Sequence, residues 1–141
     1  MTRALGLDLG TVRIGVATCD PGRVIASAYD VIRRGKDHAT DHAAIAALVE
    51  EENAAVVVVG LPRAMSGRDS EATKSVRAEV VELQSALPVP VVFWDERMST
   101  VTATRALIES GVRRKNRKDV VDKVAAAVIL QSWLDAGAPE D

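Results

Sequence analysis

Residues 6–17 read GLDLGTVRIGVA, and the reading of this stretch decides the fold. Apolar and small residues alternate on both sides of Gly10-Thr11, the pattern of two half-buried strands joined by a short turn. With Gly10-Thr11 as a two-residue hairpin turn, Asp8 faces Arg13, Gly6 faces Gly15 and Ala4 faces Ala17. One face then carries Asp8 and Arg13 on a floor of glycine and alanine, while the other carries Leu5, Leu7, Leu9, Ile14 and Val16. A floor without side chains lets another group come close to the backbone. A carboxylate in the middle of a strand is costly without a partner. An Asp8–Arg13 cross-strand pair would supply one, but it would not call for the glycines.

Working outward, the chain alternates between the two periodicities. After the turn Asp20-Pro21-Gly22, residues 24–32 read as a third strand. Residues 37–53 read as an amphipathic helix with Ala44, Ile45, Leu48 and Val49 on one face. Ala54–Gly60 is a continuous β-branched run, the mark of a strand buried on both faces. A polar loop at 61–70 leads to a helix at 71–86 and a buried strand at 89–94. Ser99 or Thr100 caps the next helix, which stops at Gly111, and Asp119 caps a last helix reaching about Ala136. The order β-β-β-α-β-α-β-α-α predicts an α/β domain with a mixed sheet and helices on its faces.

The chain has 141 residues, enough for one core, so 1–141 is expected to form one domain with 137–141 as a disordered tail. The apolar runs Ala54–Val59 and Val124–Leu130 are far too short for a membrane span. The first residues lack the apolar segment and small-residue cleavage site of a signal peptide. A cytoplasmic protein with no membrane partner is therefore expected. The lone Cys19 excludes an internal disulfide and a cysteine zinc cluster. A net charge of −2 argues against a general polyanion binder, although residues 113–118, RRKNRK, concentrate five cations.

Asp8 has company elsewhere in the chain. WDERMST, 94–100, ends the last strand with Asp95 and Glu96, and KDVVDKVAAA, 118–127, opens the last helix with Asp119 and Asp122. Ligands of open α/β sheets gather beyond the carboxyl ends of strands, where Asp8 and Asp95-Glu96 fall. Asp122 in a first helical turn would be kept ionised by the helix dipole. Three such carboxylates can hold two Mg²⁺ or Mn²⁺ ions and so hydrolyse a phosphodiester. Asp95 and Glu96 point to opposite faces of the strand, and local pattern does not choose between them.

Cations for a polyanionic substrate are present. Arg13 and Arg97 are placed by their strands near the acids, and Arg113, Arg114, Lys115, Arg117 and Lys118 form a basic rim before Asp122. The loop with Arg63, Ser66, Gly67 and Arg68 is a candidate substrate lid. His38 and His42 stand four apart, a zinc spacing, but without a third ligand they read as exposed helix residues. Phe93, Trp94 and Trp133 read as core rather than as a stacking platform. The Asp8–Thr11 stretch also fits the phosphate loop of sugar kinases and actin-like ATPases, but those need two such domains, and no Walker loop is present.

Over nearly its whole length the chain resembles the YqgF (RuvX) family of RuvC-like, ribonuclease-H-fold nucleases. GLDLGTVRIGVA, VVGLPRAMSG, WDERMST and DVVDKVAAAVIL with Trp133-Leu134 carry the resemblance, in that order. It implies a five-stranded sheet of order 3-2-1-4-5 with strand 2 antiparallel. It implies metal-dependent cleavage of nucleic acid, with Asp8, Glu96 and Asp122 as catalytic acids holding Mg²⁺ or Mn²⁺; Asp119 stands beside them as a candidate accessory ligand that the resemblance favours less than Asp122. The implied substrate is the 5′ end of the 16S ribosomal RNA precursor. The alternatives are a four-way DNA junction and a silent nucleic-acid-binding module. A resolvase would call for a homodimer, whereas an rRNA processor can act as a monomer. Related folds usually carry an acid at the end of strand four, where this chain has Gly60-Leu61-Pro62, so the acid of the DER motif must substitute.

Overall fold

The computed structural model describes residues 2–111 and 117–139. Strands β1 (Arg3–Leu9), β2 (Arg13–Cys19) and β3 (Ala26–Arg33) form a meander. Helix α1 (His38–Glu51), strand β4 (Ala54–Leu61), helix α2 (Glu71–Ala86) and strand β5 (Val91–Asp95) follow. A single 3-10 turn, Glu96–Met98, leads to α3 (Val101–Gly111), and α4 (Arg117–Asp135) closes the fold. The strands form one sheet of order β3-β2-β1-β4-β5. β2 is antiparallel to both its neighbours, and β4 is parallel to β1 and β5. The order and directions are those expected.

Each face of the sheet has its own core, as the period-2 alternation of β1 and β4 requires. Leu5, Leu7, Val57, Val59 and Leu61 pack with Ile45 and Val49 of α1 and Val76, Val80 and Leu83 of α2. Ala4, Ala17, Val56 and Val58 pack on the opposite face with Val101 of α3 and Ala126, Ile129, Leu130 and Trp133 of α4. Asp37 caps α1 by accepting from the Thr40 amide. Ser70 and Thr73 form a reciprocal capping box on α2, and the Thr73 hydroxyl also donates to the Pro62 carbonyl, tying the 62–70 loop to that helix.

The hairpin register differs from the expected one. Asp8 pairs with Gly15, Gly6 with Ala17 and Leu9 with Ile14, so Asp8 does not face Arg13. Three residues rather than two separate the strands, because Val12 is drawn into the turn, where its carbonyl accepts from the Arg34 amide. Arg13 instead stands opposite Arg33 on β3. The face assignment survives, since a slip of two residues preserves the alternation.

The glycine floor is occupied by the protein itself. A Cβ on Gly6 would lie 2.8 Å from Leu130 Cβ, and one on Gly15 would lie 1.9 Å from the Asp122 carbonyl oxygen. Helix α4 lies directly on the β1–β2 backbone, which only residues without side chains allow. α4 also starts at Arg117, before Asp119, so Asp119 is not its N-cap and Asp122 falls in the second turn. The basic residues Arg113, Arg114 and Lys115 lie outside the described residues. At the other end, residues 137–139 turn back on α4 through Gly137 at φ 93° and a 2.7 Å bond from the Trp133 indole to the Pro139 carbonyl, while 140–141 lie outside the described residues.

Candidate active site

Parallel pairing puts the carboxyl ends of β1, β4 and β5 along one edge of the sheet. Asp8 is the penultimate residue of β1 and Glu96 is the first residue after β5. Gly60, near the end of the intervening β4, makes room between them. A Cβ there would stand 3.0 Å from Glu96 Oε2. The missing acid on β4 therefore has a counterpart: the space its side chain would fill is taken by Ile129 of α4, 2.5 Å from that point, and by the carboxylate of Glu96 reaching across from the next strand.

Arg105 of α3 joins the two acids. Its guanidinium donates to Asp8 Oδ1 at 3.1 Å and to Glu96 Oε1 at 2.9 Å. Asp8 and Glu96 are both buried. Burial pushes the Asp8 carboxyl up to about 6; Arg105 opposes this, and the negative charges of Glu96 and Asp122 add to it. Asp122 is brought into the same field because its backbone rests on Gly15, the cross-strand partner of Asp8. The structure thus gathers Asp8, Glu96 and Asp122 at one place, with a cation between the first two.

Asp95 and Glu96 part company at the 3-10 turn. Asp95 caps that turn and takes the Arg97 guanidinium at 2.7 Å, with Arg63 of the 62–70 loop at 3.8 Å. Arg97 holds the Asp95 carboxyl below its usual range. Glu96 does not pair with Arg97. In the loop, Arg63 also faces Asp69, Gly67 adopts φ 86° close to the Arg97 guanidinium, and Ser66 Oγ accepts from the Arg68 amide. The side chains of Arg117, Lys118 and Asp119 lie outside the described residues.

Two expectations about side chains change. His42 is buried rather than exposed, and it meets Glu79 of α2. Phe93 lies on the α2 side of the edge strand β5, exposed beneath Arg77, while Trp133 is core and Trp94 donates to Ser132. Arg105 was missed altogether. Its signal was present: it follows the buried Val101 by four residues, so it lies on the inward stripe of α3. A cation on an inward helical stripe requires buried acids to meet it.

The sheet order and the acids on its carboxyl edge define a class, the RuvC-type ribonuclease H-like fold. The chain is similar to Thermus thermophilus RuvC solved in complex with a Holliday junction substrate, with a TM-score of 0.61 over 99% of each chain at 13% sequence identity, a likeness of fold. Within that class the chain belongs to the RuvX family, whose model, described as "RuvX: Holliday junction resolvase", matches residues 2–136. A Paracoccus denitrificans relative named "Putative pre-16S rRNA nuclease" is 48% identical over 130 residues, covering 92% of this chain and 82% of the relative. A Myxococcus xanthus relative of the same name is 45% identical over 139 residues, covering 99% and 91%. No described helix is long and apolar enough to cross a membrane.

Proposed function

We propose that this chain is a divalent-metal-dependent endonuclease that matures the 5′ end of the 16S rRNA precursor in the cytoplasm. The observation that carries the reading is the buried pair Asp8 and Glu96, bridged by the Arg105 guanidinium and backed by Asp122. Carboxylate oxygens are hard donors suited to Mg²⁺ or Mn²⁺, and a point already taken by a guanidinium favours positive charge. Asp8, Glu96 and Asp122 would hold the ions, with Asp119 as an accessory ligand. Ions held there would supply Lewis acidity for the attacking water and the leaving oxygen.

The chain's own residues do the rest. Asp8 and Glu96 are fixed by strand ends and so keep their separation while substrate enters. Arg105 holds Asp8 and Glu96 and, with ions bound to those acids, would be free to meet a phosphate. Arg97 and Arg63, oriented by Asp95, bind the backbone on the loop side, and Arg13, on the same face of the sheet as Asp8, binds it on the hairpin side. Ser66, Gly67 and Arg68 close over it, and Arg113, Arg114, Lys115, Arg117 and Lys118 supply the basic rim.

The relatives' shared name favours the RNA substrate. The family's description favours a four-way DNA junction as the second reading, for which a homodimer would be needed. Cleavage of precursor 16S rRNA and of a four-way junction, each with Mg²⁺ or Mn²⁺, tests both. The expected result is metal-dependent cleavage of the precursor, lost in Asp8→Asn. Full activity in purified Asp8→Asn would overturn the assignment of the site, and preference for the junction would replace the substrate.

A further inference from the structure

On the face of the sheet opposite Asp8, α1 and α2 bring together a second set of metal-ligating side chains. His38 and His42 lie one turn apart on α1, their rings 5.5 Å between centroids, and Glu79 projects from α2. One donor atom from each of these three lies within 4.8 Å of the others, the one set of three so placed among the described residues. Ligand atoms around a tetrahedral zinc ion are about 3.3 Å apart, so a small contraction of this set encloses an ion. His42 Nε2 is already 2.9 Å from Glu79 Oε2, and Glu82 Oε2, a fourth donor, is 2.9 Å from His38 Nδ1.

The surroundings are those of a held ligand set. Glu79 and His42 are buried at 5% and 2% exposure. Arg34 grips Glu79 through both carboxylate oxygens, at 2.6 and 2.9 Å, and also meets Asp41 at 3.3 Å. Such outer partners fix the orientation of a metal-ligating carboxylate. Arg34 offsets one of the three carboxylates Asp41, Glu79 and Glu82, and the ring nitrogens of His38 and His42 meet Glu82 and Glu79, so a divalent ion would enter by displacing the ring protons between them. Access is open, because His38 and Glu82 are half-exposed on a cleft lined by Ala39, Ala43 and Ala46.

We propose that His38, His42 and Glu79, completed by Glu82, form a structural site for a zinc-class divalent cation, separate from the carboxylates of the active site. Imidazole nitrogen selects Zn²⁺ over Mg²⁺, which keeps oxygen ligands. The site clamps α1 to α2. Through Arg34, which donates to the Gly10 carbonyl at 2.8 and 3.0 Å, it also steadies the turn that follows Asp8.

Calorimetric titration of the metal-stripped full chain with Zn²⁺, repeated on Asp8→Asn and His38→Ala, tests this. His38 is half-exposed, so its loss leaves the fold intact, which circular dichroism verifies. Apart from any Zn²⁺ taken by the active-site acids, one equivalent should bind wild type and Asp8→Asn alike and bind His38→Ala at least about tenfold more weakly. Zn²⁺ should raise the thermal midpoint of wild type but not of His38→Ala, and Co²⁺ should give tetrahedral absorption bands that vanish in His42→Gln. Absence of Zn²⁺ binding, binding changed less than tenfold by His38→Ala, or binding lost in Asp8→Asn would each overturn the proposal.

Discussion

Asp122 rests on Gly15: its carbonyl oxygen occupies the point 1.9 Å from where a Gly15 Cβ would stand, and Gly15 is the cross-strand partner of Asp8. A glycine in β2 thus sets the distance between two acids that are far apart in sequence. Gly15→Ala would force α4 away from the sheet, because a backbone oxygen cannot swing aside as a side chain can. Its cost should sit at the upper end of the roughly 1–3 kcal/mol usual for overpacking, or beyond it. Nuclease activity should fall further than the folded fraction does, since Asp122 moves with the helix. Denaturant unfolding and activity per folded molecule check this; a variant as stable and as active as wild type would show that α4 does not depend on the close approach.

The Asp8 carboxyl gives a pH signature. Its value rises from 3.8 to about 6 on folding, chiefly through burial. A raised acid binds its proton more tightly in the folded state, so its contribution to stability is full below pH 3.8 and is lost as pH climbs through 6. At neutral pH, keeping Asp8 charged therefore costs about 3 kcal/mol in the metal-free protein. Asp8→Asn should be more stable than wild type at pH 7–8 by up to about that amount, with the gain disappearing towards pH 4. Stability without activity is the expected trade at a functional carboxylate. Chemical denaturation of both proteins across this pH range, with chelator present, decides it; a constant difference would remove burial of Asp8 as the cause.

Much of this was legible in the sequence for a physical reason. Strands buried on both faces, such as Ala54–Leu61, and the glycine-floored hairpin have few alternatives, so the element order and sheet topology could be read. The register could not, because a slip of two, which leaves four residues rather than two between the paired Leu9 and Ile14, preserves the same alternation. The choice between Asp95 and Glu96 was also closed to local pattern. It is made by the 3-10 turn, which sends one acid to Arg97 and the other to Arg105. The Arg34–Glu79–His42 network joins elements distant in the chain, and pairing of that kind leaves no mark in a single helix's periodicity; for Arg105 the inward stripe of α3 marked the residue but not its partners.

On the proposed function, Arg105 and the divalent ions compete for Asp8 and Glu96. Removing the guanidinium leaves two neighbouring buried carboxylates without their cation, which should cost roughly 1–3 kcal/mol, the range for stranding a buried acceptor. Arg105→Gln should therefore melt below wild type in chelator, and Mn²⁺ should restore more stability to the variant than to wild type. Thermal melts with and without Mn²⁺ measure both. Equal Mn²⁺ stabilisation of the two proteins would mean that the ion and the guanidinium do not share a position.

Asp95 meets the chain's own arginines. Its carboxylate anchors Arg97 at 2.7 Å and draws Arg63 of the 62–70 loop to 3.8 Å, while Glu96 turns inward to Arg105. Asp95→Asn should leave Mn²⁺ affinity unchanged and raise KM for nucleic acid several-fold, because two arginines lose their common anchor and bind phosphate less often in the productive pose. Arg97→Ala should weaken binding as well and should flatten the dependence of log K on log salt by about one phosphate contact, a slope change near 0.7–0.9. Manganese titration, steady-state kinetics and salt-dependent binding of the two variants separate these effects. A loss of Mn²⁺ affinity in Asp95→Asn would instead make Asp95 a metal ligand, and the partition of the two acids by the 3-10 turn would have to be abandoned.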